Sequence, residues 1–193
     1  MVQRAFEKDD PSYKKLDIVL QQTKRLESMV KEMLDFSRPL SLNRSKEDLN
    51  KVVEDSLAVA GKTAEDSKVT VASHLDRDLP LIPIDPMRME QVVINLVNNA
   101  VQSSPAGQTV VVSTSRMNEY AAIEVSDCGC GIPLEQKEEI FTPFFSTKKE
   151  GTGLGLPIVK KIIESHHGQL EFFDNLEGGV TFRVLLPISG ALS

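Results

Sequence analysis

Glu90-Gln-Val-Val-Ile-Asn-Leu-Val-Asn-Asn-Ala100, then Asp127-Cys-Gly-Cys-Gly-Ile132, then Gly151-Thr-Gly-Leu-Gly-Leu156: this ordered set decides how the chain folds. Asn95 and Asn99 stand at i and i+4, so one face of a helix presents both amides. Amide oxygens suit a hard cation such as Mg2+, which prefers oxygen ligands and usually holds substrate phosphates as well. Asp127 ahead of glycines can accept from an exocyclic amine, while bare backbone N–H groups approach phosphates closely. Leu154, Leu156, Ile158, Val159, Ile162 and Ile163 give an apolar helical pattern directly after the second glycine cluster. Gly151 to Gly155 would then form a helix N-terminus, which favours anions, and Pro157 fits the first turn. Commoner templates fail. Neither cluster matches G-x-x-x-x-G-K-[ST], and Leu134 and Leu156 break the G-x-G-x-x-G fingerprint. A single glycine cluster would read as a loop or turn; the ordered set reads as a nucleotide site.

Two further stretches complete a family pattern: Ile140-Phe-Thr-Pro-Phe-Phe-Ser-Thr-Lys148 and Gly178-Gly-Val-Thr-Phe182. With these five motifs in order, the chain resembles the ATP-binding catalytic domain of a sensor histidine kinase, within the GHKL ATPase superfamily. It is most like the nitrogen-regulation type. The resemblance runs from about Tyr13 to Pro187.

Composition is in keeping with a soluble enzyme domain. The 193 residues are 40% hydrophobic and 26% charged, enough for one core plus an appended element. No apolar run reaches membrane-spanning length and no signal peptide opens the chain, so a cytoplasmic location is expected, with any membrane anchor lying upstream. A net charge of −6 argues against nucleic acid as a partner. Cys128 and Cys130 are too few for a zinc site and too close for an unstrained disulfide, and they read as reduced thiols.

Leu16, Val19, Thr23, Leu26, Val30, Met33 and Ser37 form a heptad-like stripe, flanked by Leu20 and Leu34, on a helix expected from Pro11 to about Ser37. On pattern alone, this is equally an ordinary amphipathic helix. The resemblance makes residues 1–40 the second helix of a dimerisation and phosphoacceptor hairpin, and residues 41–193 the ATP-binding domain. Ser45 with Asp48 suggests a capping box opening a helix through roughly Gly61. Lys68 to Leu75 alternates like a strand, and Asp85-Pro86 caps the helix carrying Glu90, Asn95 and Asn99. Thr109 to Met117 and Tyr120 to Val125 read as strands joined near Asn118. Pro133 to Lys149 lacks regular pattern and resembles an ATP lid. A helix then runs to about Gly168, and Leu170 to Phe173 and Val180 to Leu186 close a sheet. The expected fold class is α+β: a two-layer sandwich with helices on one face of a mixed sheet, the Bergerat fold by resemblance, preceded by a long helix.

The resemblance assigns roles position by position. Asn99 matches the Mg2+ ligand and Asn95 the neighbouring position facing the phosphates; with Lys148, a phosphate clamp at the lid, these are the catalytic candidates. Lys149 is a weaker second clamp. Asp127 matches the adenine-reading carboxylate, supported through water by Thr181. Gly129 and Gly131 let the base approach the backbone. Gly151, Gly153 and Gly155 hinge the lid and offer N–H groups to phosphates. Ile132, Thr147, Thr152, Leu154 and Leu156 complete the implied nucleotide contacts. Phe141, Phe144 and Phe145 read as lid anchors that pack onto the domain.

The resemblance implies ATP/ADP and Mg2+ as cofactors. It implies an upstream helix bearing an acceptor His, a response regulator whose Asp receives the phosphoryl group, and a homodimer through the hairpin. Related ATPases such as gyrase carry a Glu where this chain has Asn95; an amide cannot take a proton from water, so Asn95 favours transfer to a protein nucleophile. Gln102 and Ser103 depart from a basic and an aromatic residue common in the family, and Gln102 cannot neutralise phosphate. His74, His166 and His167 are the only histidines, and none has the acceptor context. A GHKL ATPase switch and a non-enzymatic nucleotide-binding module stay open as alternatives.

Overall fold

The computed structural model describes residues 11–37, 40–148, 151–175 and 178–189, in two compact units divided after Pro39. Among the described residues the first is one helix, α1 (Pro11–Ser37), with the bounds its periodicity implies. Ile18, Val19, Leu26, Val30, Met33 and Leu34 are each more than half exposed along it. Among the described residues no helix is long and apolar enough to cross a membrane.

The second unit is a five-stranded mixed sheet in the order β2-β4-β5-β7-β6, with a two-stranded ribbon of β1 (Ser45–Glu47) and β3 (Ile82–Ile84). Strands β2 (Thr70–His74) and β4 (Thr109–Met117) run parallel, whereas β4, β5 (Tyr120–Ser126), β7 (Val180–Pro187) and β6 (Gln169–Asp174) are joined antiparallel. The β4–β5 hairpin turns at Asn118, whose φ of 56° lies in the left-handed region that Asn tolerates. Strand alternation puts one face inward. Val112 pairs with Val125, Val125 with Phe182, and Ile123 with Val184, all buried. The opposite face is charged: Arg183 bridges its cross-strand neighbours Glu124 and Glu171 at 2.6 and 3.5 Å.

Helices α2 (Leu49–Ser67), α3 (Pro86–Ser103) and α4 (Gly155–Ser165) pack on the apolar face. Met89, Val92, Val93, Leu96 and Val97 of α3 are almost wholly buried, as are Val159, Ile162 and Ile163 of α4. Burying each such side chain is worth roughly 1.5–3 kcal/mol. The fold class is therefore the expected α+β layering, with the long helix ahead of it.

Local expectations meet two corrections. Ser45 does not cap α2; it belongs to β1 (Ser45–Glu47), and its hydroxyl donates to Glu47 at 2.5 Å. Asp48 is the N-cap, accepting from the Asn50 and Lys51 amides. The helix also runs past Gly61 to Ser67 because buried Ala60 and Ala64 continue its inner face. The ribbon of β1 and β3 (Ile82–Ile84) has no counterpart in the sequence reading.

One buried cluster sets α3 against α4. Asp85 caps α3 by accepting from the Arg88 amide at 3.1 Å, while its other oxygen accepts from the Asn43 amide at 2.8 Å. The Asp85 amide donates to His166 Nε2 at 3.0 Å, and His166 Nδ1 donates to the Ile162 carbonyl at 2.8 Å. Arg44 donates to the Ser165 carbonyl at the C-terminus of α4, where a cation complements the helix dipole.

Candidate nucleotide site

Asp127 leaves the end of β5 as the strand ladder continues one step further, its amide donating to the Val180 carbonyl at 2.9 Å. The side chain is 6% exposed. Oδ1 accepts from the Gly129 amide at 2.9 Å and the Val180 amide at 3.1 Å. Among the described residues Oδ2 accepts no hydrogen bond. A carboxylate so held keeps one oxygen available to a donor.

Gly129 brings this loop against α3. A Cβ there would lie 2.8 Å from the Ser103 carbonyl oxygen, too close for any side chain. The neighbouring Cys128 amide reaches Ser104 Oγ at 3.4 Å, and Cys128 Sγ reaches the Thr109 carbonyl at 3.5 Å. Neither cysteine is joined in a disulfide among the described residues. Gly131 holds φ +76°, a conformation glycine adopts without strain. The C-terminal half of α3, carrying Asn99, is thereby set beside Asp127.

Asn95 and Asn99 share the half-buried face of α3 that the helical spacing implies. Asn95 faces the first turn of α4: a Cβ on Gly155 would sit 3.8 Å from Asn95 Oδ1. The α4 N-terminus has no side-chain cap on its helix; Thr152 Oγ1 accepts the Leu154 amide, one residue ahead of the first turn, at 3.3 Å. Its first-turn amides are thus open to an anion.

Between these parts runs the segment from Pro133, regular among the described residues only in a 3₁₀ turn at Leu134–Gln136. Its first half is tied to the sheet. Lys137 pairs with Asp174 at 2.7 Å, and Phe141 packs edge-on against Phe172 at 5.9 Å between ring centroids. Phe172 stacks in turn on Phe182 at 5.8 Å, and Lys160 lies over the Phe141 ring. Phe144 is no anchor: it is 62% exposed at φ +69°, held by its amide donating to the Gly153 carbonyl at 3.0 Å. Gly153 itself has φ +70°, with space for a Cβ closed off by the Phe144 carbonyl carbon at 2.5 Å.

The far end of the segment reaches α3. Lys148 Nζ donates to Asn99 Oδ1 at 2.6 Å, to the Asn99 carbonyl at 3.1 Å and to Gln102 Oε1 at 3.3 Å. Burial lowers the Lys148 pKa, and the charges of Asp127 and Cys130 partly oppose that shift. Gln102, read from sequence as a lost positive charge, is here an acceptor for the lysine.

The remaining positions sort by burial. Gly151, Gly153 and Gly155 line the approach to α4, with Ile132, Thr152 and Leu156 half-buried and Thr147 exposed beside Lys148. Leu154 is 1% exposed, so its side chain belongs to the core and only its backbone could meet a ligand. Thr181 is buried, and its hydroxyl donates to Ser126 Oγ at 2.9 Å. Lys149 lies outside the described residues. Among the described residues no group of three or more His, Cys, Asp or Glu could hold a metal. Sequence reasoning missed Asn175, which touches Asp127; its only signal was an Asn four residues before Gly179 at a turn.

Residues 84–190 match the family model described as histidine kinase-, DNA gyrase B- and HSP90-like ATPase. The signal transduction histidine-protein kinase AtoS of Escherichia coli (strain K12) is 34% identical over 182 residues, covering 93% of this chain and 30% of AtoS. The chain spans about a third of the length of the curated relatives it matches. The solved catalytic domain of the histidine kinase ThkA is 33% identical with a TM-score of 0.70, covering 76% of this chain and 97% of that one. ThkA in complex with the response regulator protein TrrA matches at 29% identity and a TM-score of 0.79, over 97% of this chain and 54% of that one. The family model takes in every element built around Asp127, Asn99 and Gly153, and the chain belongs to the histidine kinase-, DNA gyrase B- and HSP90-like ATPase family.

Proposed function

We propose that this chain binds ATP with Mg2+ and passes the γ-phosphoryl group to a histidine on a hairpin helix, for relay to an aspartate of a response regulator. The observation that carries the reading is Asp127. One oxygen is locked by two backbone amides and the other has no partner among the described residues. A fixed acceptor of this kind suits the N6 amine of adenine, with Gly129 and Gly131 adding no side chains at their positions in the loop.

The phosphates would lie toward the open amides of α4, flanked by Gly151, Gly153 and Gly155. Asn99 would ligate Mg2+, and its donor chemistry fits: Oδ1 already receives a cation, the Lys148 ammonium, at 2.6 Å. Mg2+ carried on phosphates needs few protein ligands, and it would supply charge neutralisation to the transferring group. Lys148 would exchange its α3 acceptors for phosphate oxygens. Asn95 beside α4 offers no general base, which favours transfer to a protein nucleophile over hydrolysis. The names of AtoS and ThkA, both histidine kinases, support the same class. The exposed apolar stripe of α1 is in keeping with a hairpin that pairs with further helices and a second copy.

The test supplies a separate hairpin segment bearing an acceptor histidine, with labelled ATP and Mg2+. An acid-labile, base-stable label should appear on that segment and vanish with Asn99→Ala. Steady ATP hydrolysis without labelled histidine would support an ATPase switch instead.

A further inference from the structure

We propose that Asn175, at the turn between β6 and β7, is a positioning residue for base recognition: its side-chain amide fixes where Asp127 presents its unpaired oxygen. The inference rests on Asp127 reading the adenine amine. Asn175 is half-buried and its amide is engaged at both ends. Oδ1 accepts from the Gly179 amide at 2.9 Å, while Nδ2 donates to the Asp127 carbonyl at 2.7 Å and to Ser126 Oγ at 3.1 Å. Reversing the amide would set an oxygen against the Asp127 carbonyl, so this orientation alone satisfies its neighbours.

The turn is closed around the same residue. The Asn175 amide donates to the Gly179 carbonyl at 2.9 Å, and the Gly178 amide donates back to the Asn175 carbonyl at 3.2 Å. Gly179 allows the turn to lie flush on the site, because any Cβ there would run into the Asp127 carbonyl. Thr181 donates to Ser126 Oγ from the adjoining strand, at 2.9 Å. Asp127 is thus held from three directions. Gly129 and Val180 fix Oδ1, and Asn175 fixes the backbone carbonyl. Removing Asn175 leaves that carbonyl and Gly179 without their partners and frees the carboxylate to drift. A small displacement matters most to a hydrogen bond aimed at one exocyclic group, and little to contacts with ribose or phosphates.

The discriminating pair of ligands is ADP and inosine diphosphate, whose base carries a carbonyl where adenine carries its amine. Equilibrium dialysis of the 193-residue chain should show a preference for ADP. Asn175→Ala should lower ADP affinity by about tenfold while moving inosine diphosphate little, so the preference shrinks. Asn175→Ser, which keeps one donor and one acceptor, should recover part of the preference and covers the case in which the alanine variant folds poorly. Equal weakening toward both nucleotides, or an unchanged preference, would overturn the positioning role. Asp127→Asn separates the two readings. If that change erases the preference and Asn175→Ala does not, only the inference about Asn175 fails. A wild-type chain without preference overturns the reading of Asp127 together with this inference.

Discussion

His166 lies in the core, 4% exposed, with both ring nitrogens engaged. Nδ1 must donate to the Ile162 carbonyl and Nε2 must accept from the Asp85 amide, which defines a neutral ring. Burial is the chief cause that lowers its pKa; Arg44 and His167 act the same way, while the Ile162 carbonyl and Asp85 oppose them. The folded chain therefore holds its proton less tightly than the unfolded one. The stabilisation is complete above the ordinary value of 6.5 and is lost as pH falls through the lowered folded value. Urea titrations at pH 7.5 and 5.5 should show a less stable protein at the lower pH, and His166→Gln should reduce that difference; an unchanged difference would contradict the assignment. At this same scale the shared helix face of Asn95 and Asn99 was legible from their i, i+4 spacing, and Asp127 stood out as an acid ahead of two glycines, its role coming from the family resemblance. Gln102 and Asn175 were not, since their roles depend on partners 46 and 48 residues away.

At the scale of elements, the segment from Pro133 to Gly153 is fastened at both ends. Phe141 and Lys137 tie it to the sheet, and Lys148 ties it to α3. Gly153 is the point that admits no substitution, because φ +70° disfavours a side chain and the Phe144 backbone fills the space. Gly153→Ala should cost locally about 1–3 kcal/mol. Limited trypsin digestion should then cut near Lys148 faster than in the unaltered chain, while far-UV circular dichroism stays the same; equal cutting rates would show that the segment is not held by this contact. Long periodic helices and the β4–β5 hairpin were readable, since burial repeats over many residues and Asn118 marks the turn. The start of α2 misled because Ser45 and Asp48 both offer capping oxygens, and only strand pairing with β3 removes Ser45 from contention. Strands of three residues are too short to show alternation, so β1 and β3 gave no signal.

For the whole molecule, the layered sheet and helices bring three distant stretches of chain to one place, and nucleotide binding is the property they would share. We propose that none of the three histidines accepts phosphate: His166 is buried between α3 and α4, His167 follows the C-cap of α4 at φ 57°, and His74 lies on β2. Incubating the chain alone with labelled ATP and Mg2+ should leave it without a base-stable, acid-labile label, and such a label would refute the assignment of the acceptor to another segment. The most direct test of the nucleotide site is isothermal titration calorimetry of ADP into the chain in Mg2+ buffer, alongside Asp127→Asn. Saturable heat from one site, markedly weakened in the variant, is the predicted result; no saturable heat from the unaltered chain would contradict the account.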